Sequence, residues 1–347
     1  IEKMRPLLEL ENRPVRESEG PPVRAPLEDP AEGKPPVEQP EPEPLDGDRA
    51  VPLAAAGLSA ETLRHFGPHL EAMGLRLAAF PLAGSGAGKG AAADLEPGSA
   101  LAVLLTSGDI TIGGVGTVTY RAGNQVLAFG HPMMKSGAVE LPVGPAEVID
   151  VVRRYQISFK LSRIGEPFGT LWQDQSSGVR AELGPVPYMV PVSVRTEGTF
   201  SQTIEGSVAE TRELTPPLLL AFMAEALLGA EQSTGRSTLA ASMTARIEGI
   251  GEPLELDYRG VGTGGAIGVL LHFGRALQRV YGSRFAFPRL EAVEVSVEMK
   301  PGRFVEDLRG VRLLDARALA GGEVDVVVVT QPDESDEIRR TVRVPIP

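Results

Sequence analysis

The chain has 347 residues, with 34 Lys and Arg against 46 Asp and Glu, for a net charge of -12. A surface that acidic repels a phosphate backbone unless a basic face is segregated from it, and none is visible, so no nucleic-acid partner is expected. The absence of cysteine removes disulfides, thiol catalysis and zinc-thiolate sites together.

The chain opens at Ile1 with neither an initiator Met nor a basic-then-apolar leader, and so reads as a processed or excerpted piece of a longer protein. Residues 1–12 look like the tail of an upstream element. Residues 13–50 are dominated by Pro, Glu, Asp and Gly; such a segment buries too little apolar surface to offset its ordering entropy and predicts an extended linker.

Folded sequence starts with a short strand at Val51. Ser59 is placed to N-cap a helix whose apolar stripe is Leu63, Phe66, Leu70 and Met73, with Gly67-Pro68 expected to bend or split it. Gly74 stops that helix and a strand returns from Leu75, giving a strand-helix-strand unit within residues 51–97. His65 and His69 lie one turn apart, but no carboxylate is placed to complete a metal site, and a solvated helix face is the reading. The run Gly-Ser-Gly-Ala-Gly-Lys-Gly at 84–90 lacks the spacing, the hydroxyl after Lys89 and the following helix of a phosphate loop, so it reads as a linker.

Residues 98–198 carry many short β segments with Gly and Pro corners, the signature of a barrel or sandwich. Beyond them, residues 199–347 predict an α+β domain. A helix with its cap at Thr215 and prolines in its first turn runs to a stop at Gly229. A second helix carries Ile267, Leu270, Leu271 and Leu277 and ends at Gly282, and strands fill much of the rest. The apolar run at 216–229 is interrupted by Glu225 and is shorter than the roughly 20 residues that span a bilayer, so no transmembrane segment is expected. The fold class is therefore α+β, mainly β, with a barrel-like central domain and an α+β C-terminal domain.

Two motifs invite chemistry. Gly260-Val-Gly262-Thr-Gly-Gly265 follows a strand and precedes a helix, as a dinucleotide site requires. The acidic residue expected about 20 positions on falls in Ser-Arg-Phe-Ala-Phe-Pro, however, and repeated βαβ units are missing, so a turn before a packed helix is the reading. His272 within that helix reads as a packed or surface residue. His131 differs: Gly130-His131-Pro132 sits just past a strand, in a chain with four His. A general base needs a fixed ring, with one nitrogen toward the nucleophile and the other held by an acceptor. A corner between a flexible Gly and a rigid Pro can supply that fixing.

Taken together, Gly114-Val-Gly116-Thr-Val-Thr-Tyr, Val126-Leu-Ala-Phe-Gly-His131-Pro-Met and Pro167-Phe-Gly-Thr-Leu-Trp resemble the SpoIVB peptidase family, bacterial trypsin-like serine peptidases known from sporulation signalling. The resemblance covers residues 98–196. It implies a trypsin-related β-barrel, a catalytic role for His131, a protein or peptide substrate, no cofactor and an extracytoplasmic location in the cell envelope or outside it. The chain departs from the family by lacking a Gly-Met-Ser-Gly-Ser-Pro motif after His131. In family members with a reordered layout that motif precedes the His segment and is followed by a stretch similar to Ile1-Glu-Lys-Met4. The implied serine then belongs to an upstream part of the same protein, and this portion would be inert alone. Ser176, Ser177 and Ser136 are local hydroxyls that read as solvated turn residues, while Asp174 and Asp150 are candidates to orient the imidazole. The alternative is a cell-envelope scaffold or binding module that kept the barrel without its chemistry.

Overall fold

The computed structural model describes residues 51–79, 92–152, 159–199, 201–234, 237–261, 264–284, 287–302, 304–314, 320–332 and 335–346. The expected linker at 13–50 and the glycine run at 84–90 lie outside them. The protein is mainly β, 56% strand and 19% helix. No helix among the described residues is long and apolar enough to cross a membrane.

Strand β1 (Val51–Ala56), helix α1 (Ala60–Glu71) and strand β2 (Leu75–Ala79) form the expected unit. The two strands pair in parallel, as a helical crossover requires. Ser59 caps α1 by accepting from the Thr62 N–H at 3.2 Å. Its own N–H donates to Glu225 at 2.8 Å, which gives the one charge within the apolar run a structural task. The helix does not split at Gly67-Pro68: Pro68 lies inside a continuous helix. Phe66 and Leu70, both buried, anchor the turns on either side, and their packing outweighs the hydrogen bond that proline removes.

The centre is a closed antiparallel barrel of six strands. They are β3 (Ala100–Gly108), β4 (Thr111–Ala122), β5 (Gln125–Ala128), β6 (Gly137–Val152), β8 (Gly169–Gln175) and β9 (Gly178–Leu183), in the order β3-β6-β8-β9-β5-β4, closed by the β3–β4 pairing. Alternation places Leu101, Val103 and Leu105 of β3 in the main core, with Val126 and Ala128 of β5, Leu171 of β8 and Val179 of β9. The opposite side of β3 is also covered, because Ala102 and Leu104 pack with Ala54 and Ile164. Ile164 belongs to β7 (Phe159–Ile164), which pairs with the far half of β6 and extends it as an arm beyond the barrel. β1 joins the barrel by pairing with β4.

From the other edge of β3 the sheet continues through β11 (Gln202–Ala209), β10 (Met189–Gly198), β14 (Leu290–Pro301), β12 (Ser237–Ile247) and β13 (Leu254–Val261). Helices α2 (Thr215–Thr234) and α3 (Gly265–Tyr281) cover this extension. β10 thus belongs to the helix-covered sheet and not to the barrel wall. α2 is buried on nearly every side, as a helix apolar all round must be. It runs through Gly229 to Thr234 because that glycine sits in a packed turn. In the turn that leads into it, the Thr211 hydroxyl accepts from the Leu214 N–H at 3.0 Å. Between α1, α2 and α3 lies a mainly apolar cleft of about 960 Å³, lined in part by Phe66, Met73, Leu220, Ile267 and Leu271. A separate three-stranded sheet, β15 (Glu306–Leu313), β16 (Glu323–Pro332) and β17 (Ile338–Pro345), follows.

Candidate functional site: the His131 loop

His131 lies on the loop that leaves β5 and enters β6 at one end of the barrel. Among the described residues, the non-glycine residues with positive φ are Phe129, at 73°, and Lys135, at 59°, and both belong to this loop. Backbone strain of this kind costs of order 1–3 kcal/mol per residue and concentrates where surrounding contacts over-determine the chain. Gly130, with φ at 77°, extends the left-handed stretch up to His131.

Two glycines from the Gly114-Val-Gly116 segment make room for the loop. A Cβ on Gly116 would stand 2.0 Å from the Phe129 ring, and one on Gly114 would stand 3.0 Å from the Met133 methyl group. β4 therefore presents a smooth floor on which the side chains flanking His131 rest. The Phe129 N–H donates to Thr117 O at 2.9 Å. From β7, Lys160 Nζ donates to Gly116 O at 3.2 Å and to Thr117 Oγ1 at 2.5 Å. Burial pushes the Lys160 ammonium below its usual pKa, since desolvation penalises the charged form.

Asp174 braces the loop from the far side. It is 1% exposed and sits on β8 opposite Gly137. Its carboxylate accepts from the N–H groups of Met133 at 2.8 Å, Met134 at 2.6 Å and Ser136 at 3.3 Å. A buried carboxylate needs several donors to replace water, and three converging backbone amides supply them.

The imidazole itself is exposed, tilted against Phe129 with ring centroids 5.7 Å apart. Its Nδ1 lies 2.7 Å from the Pro132 carbonyl oxygen. A carbonyl can only accept, so Nδ1 carries the proton of the neutral ring and Nε2 presents a lone pair to solvent. The acceptor that holds this ring is therefore a main-chain carbonyl. Asp174 acts on the backbone that follows His131 and makes no hydrogen bond to the ring. Asp150 lies on the β6–β7 arm, where its carboxylate accepts from the adjacent Val151 N–H at 2.7 Å. Among the described residues no serine hydroxyl is hydrogen-bonded to His131. Ser136 offers its backbone N–H to Asp174, and Ser176 and Ser177 occupy the β8–β9 turn.

No family model, characterised protein or solved structure matches this chain.

The remaining motifs resolve into packing. β13 pairs antiparallel with β12, whereas a dinucleotide fold needs parallel strands there. At the start of α3 the N–H groups of Gly264 and Gly265 donate to Glu231 Oε1 at 2.7 and 3.0 Å. A carboxylate from α2 thus takes the position a phosphate would occupy. His65 stands 3.4 Å from Glu61, His69 stacks on Phe66, and His272 tilts against Tyr258 and Phe273. The 960 Å³ cleft is lined from α1, α2, α3 and their flanks, and none of its lining residues belongs to the His131 loop. Sequence reasoning missed the floor at Gly114 and Gly116, although two glycines at period two on one strand face signal that something lies against them.

Proposed function

We propose that this chain carries the general-base half of a serine endopeptidase site of the SpoIVB type, with His131 acting on a serine hydroxyl supplied from outside these 347 residues. The observation that supports this reading is the Nδ1 contact to Pro132 O at 2.7 Å, which leaves Nε2 as a solvent-facing base on a braced loop. The closed antiparallel barrel is compatible with the trypsin-related architecture that the sequence resemblance implies.

In this mechanism the serine oxygen attacks the peptide carbonyl carbon while Nε2 of His131 takes its proton, and the resulting imidazolium keeps its Nδ1–H on Pro132 O. The same proton passes to the leaving amine as the C–N bond breaks. Water then attacks the acyl carbon, gives its proton to Nε2, and the serine recovers it as the acid departs. The substrate is a protein or peptide, and the setting is extracytoplasmic. The second reading, a cell-envelope scaffold with a peptidase-like barrel, draws on the fact that Asp174 is committed to loop amides and that among the described residues no carboxylate is hydrogen-bonded to the ring.

A fluorophosphonate probe applied to the protein as its host makes it separates these readings. Labelling that is lost in His131→Ala supports the peptidase. Labelling unchanged in that variant, or no labelling of either form, supports the scaffold.

A further inference from the structure

The C-terminal sheet poses a problem that the barrel does not. Its register is set by β16, whose neighbours are β15 on one side and β17 on the other. Leu308, Val311 and Leu313 of β15 stand opposite Thr330, Val328 and Val326, and Ile338, Val342 and Val344 of β17 stand opposite Thr330, Val326 and Val324. Alternation puts all of these on one face. The other face carries Asp307, Arg312, Asp325, Thr341 and Arg343, with Arg343 paired to Asp325 at 3.1 Å.

This apolar face is exposed along its two outer strands, while Val326 at its centre is 8% exposed. Leu308, Val311 and Leu313 are 63%, 60% and 57% exposed, and Ile338, Val342 and Val344 are 37%, 46% and 41% exposed. Among the described residues no earlier element packs extensively on β15, β16 or β17. A three-stranded sheet needs a hydrophobic face buried against something to be stable.

Size and charge together indicate the cover. Three strands about 4.8 Å apart, paired over about eight residues at about 3.4 Å each, present a face of roughly 400 Å² in projection. Side-chain relief raises the accessible area of such a face to about 500 Å², so two copies bury about 1,000 Å², which meets the lower bound for a specific interface. The one ion pair on the face is satisfied internally: Arg340 donates to Glu306 at 2.7 Å through Nη2, and Thr330 donates to the same carboxylate at 2.5 Å. The face therefore carries no unmatched charge and is complementary to an identical face.

We propose that β15, β16 and β17 form a self-association surface, on which two copies of this chain pack their sheets face to face as a two-fold β-sandwich. The two sheets lie about 10 Å apart with strands crossing near 30°.

Sedimentation equilibrium of the 347-residue chain between about 1 and 100 µM tests this. The expected result is a dimer with a dissociation constant near or below 10 µM. Val342→Lys should weaken it at least 30-fold with unchanged far-ultraviolet circular dichroism, whereas Thr341→Lys, on the polar face of the same strand, should leave it intact. Should Val342→Lys fail to fold, Val311→Ser removes apolar area at a 60% exposed position and should weaken association at least fivefold. A chain monomeric at 100 µM, or a dimer indifferent to both apolar-face substitutions, overturns the proposal.

Discussion

Replacing Asp174 by Asn tests whether one buried carboxylate organises the His131 loop. The substitution preserves shape but leaves one acceptor oxygen for three N–H donors, those of Met133, Met134 and Ser136. If the amide oxygen keeps Met133, its NH2 group confronts the other two donors. Hydrogen bonds to a charged acceptor contribute about 1.5–3 kcal/mol each and neutral ones about half that, while a donor left without a partner costs about 1–3 kcal/mol. Allowing the exposed side of the loop to find water, the net loss comes to about 2–4 kcal/mol. The chain's single tryptophan is Trp172, on β8 two positions from Asp174, so urea unfolding followed by its fluorescence reads the barrel directly. A midpoint shift equivalent to less than about 0.5 kcal/mol would refute the bracing role.

Two further predictions follow from the packing. Gly116→Ala drives a methyl group to within 2.0 Å of the Phe129 ring; the ring must leave the floor of the loop, at a cost of about 1–3 kcal/mol, and the His131 and Phe129 resonances should shift more than those of α3 in an NMR spectrum. At Glu306 the hydrogen bonds from Arg340 and then Thr330 hold the carboxyl down at about 2. A depressed carboxyl pKa contributes stability that is present above the unfolded value, near 4.5, and lost as pH falls through about 2. Amide exchange in β15, β16 and β17 should therefore accelerate, beyond its intrinsic pH dependence, between pH 4.5 and 2. Glu306→Gln should abolish that extra acceleration, and an identical profile in the variant would count against the ion pair.

The sequence carried the barrel in its alternation and its glycine corners, because each strand buries one face and short turns must punctuate them. It also singled out His131, since Gly and Pro on either side restrict what a corner can do. What it did not carry was the destination of Asp174, which lies 41 residues from Met133 and reaches it only through the β6–β8 register. Local stop signals misled at Pro68 and Gly229 for a related reason. Both lie in helices whose neighbours are buried, and tertiary packing decides where such helices end. Glu225 reads as an interruption in an apolar run, yet it accepts the Ser59 N–H at the start of α1, and Glu231, past the expected stop, accepts those of Gly264 and Gly265 at the start of α3. In the C-terminal strands the alternation is plain, while what covers their apolar face is not written in the period.

In the proposed mechanism His131 works with Nδ1 protonated and Nε2 open as a base. Long-range proton-nitrogen correlation NMR on the selectively 15N-histidine-labelled chain reads that state directly. The contact to the Pro132 carbonyl predicts that the neutral ring of His131 carries its proton on Nδ1 and none on Nε2. A pattern with the proton on Nε2 would contradict it, because that tautomer turns an N–H toward solvent and leaves its lone pair on Nδ1, against the Pro132 carbonyl.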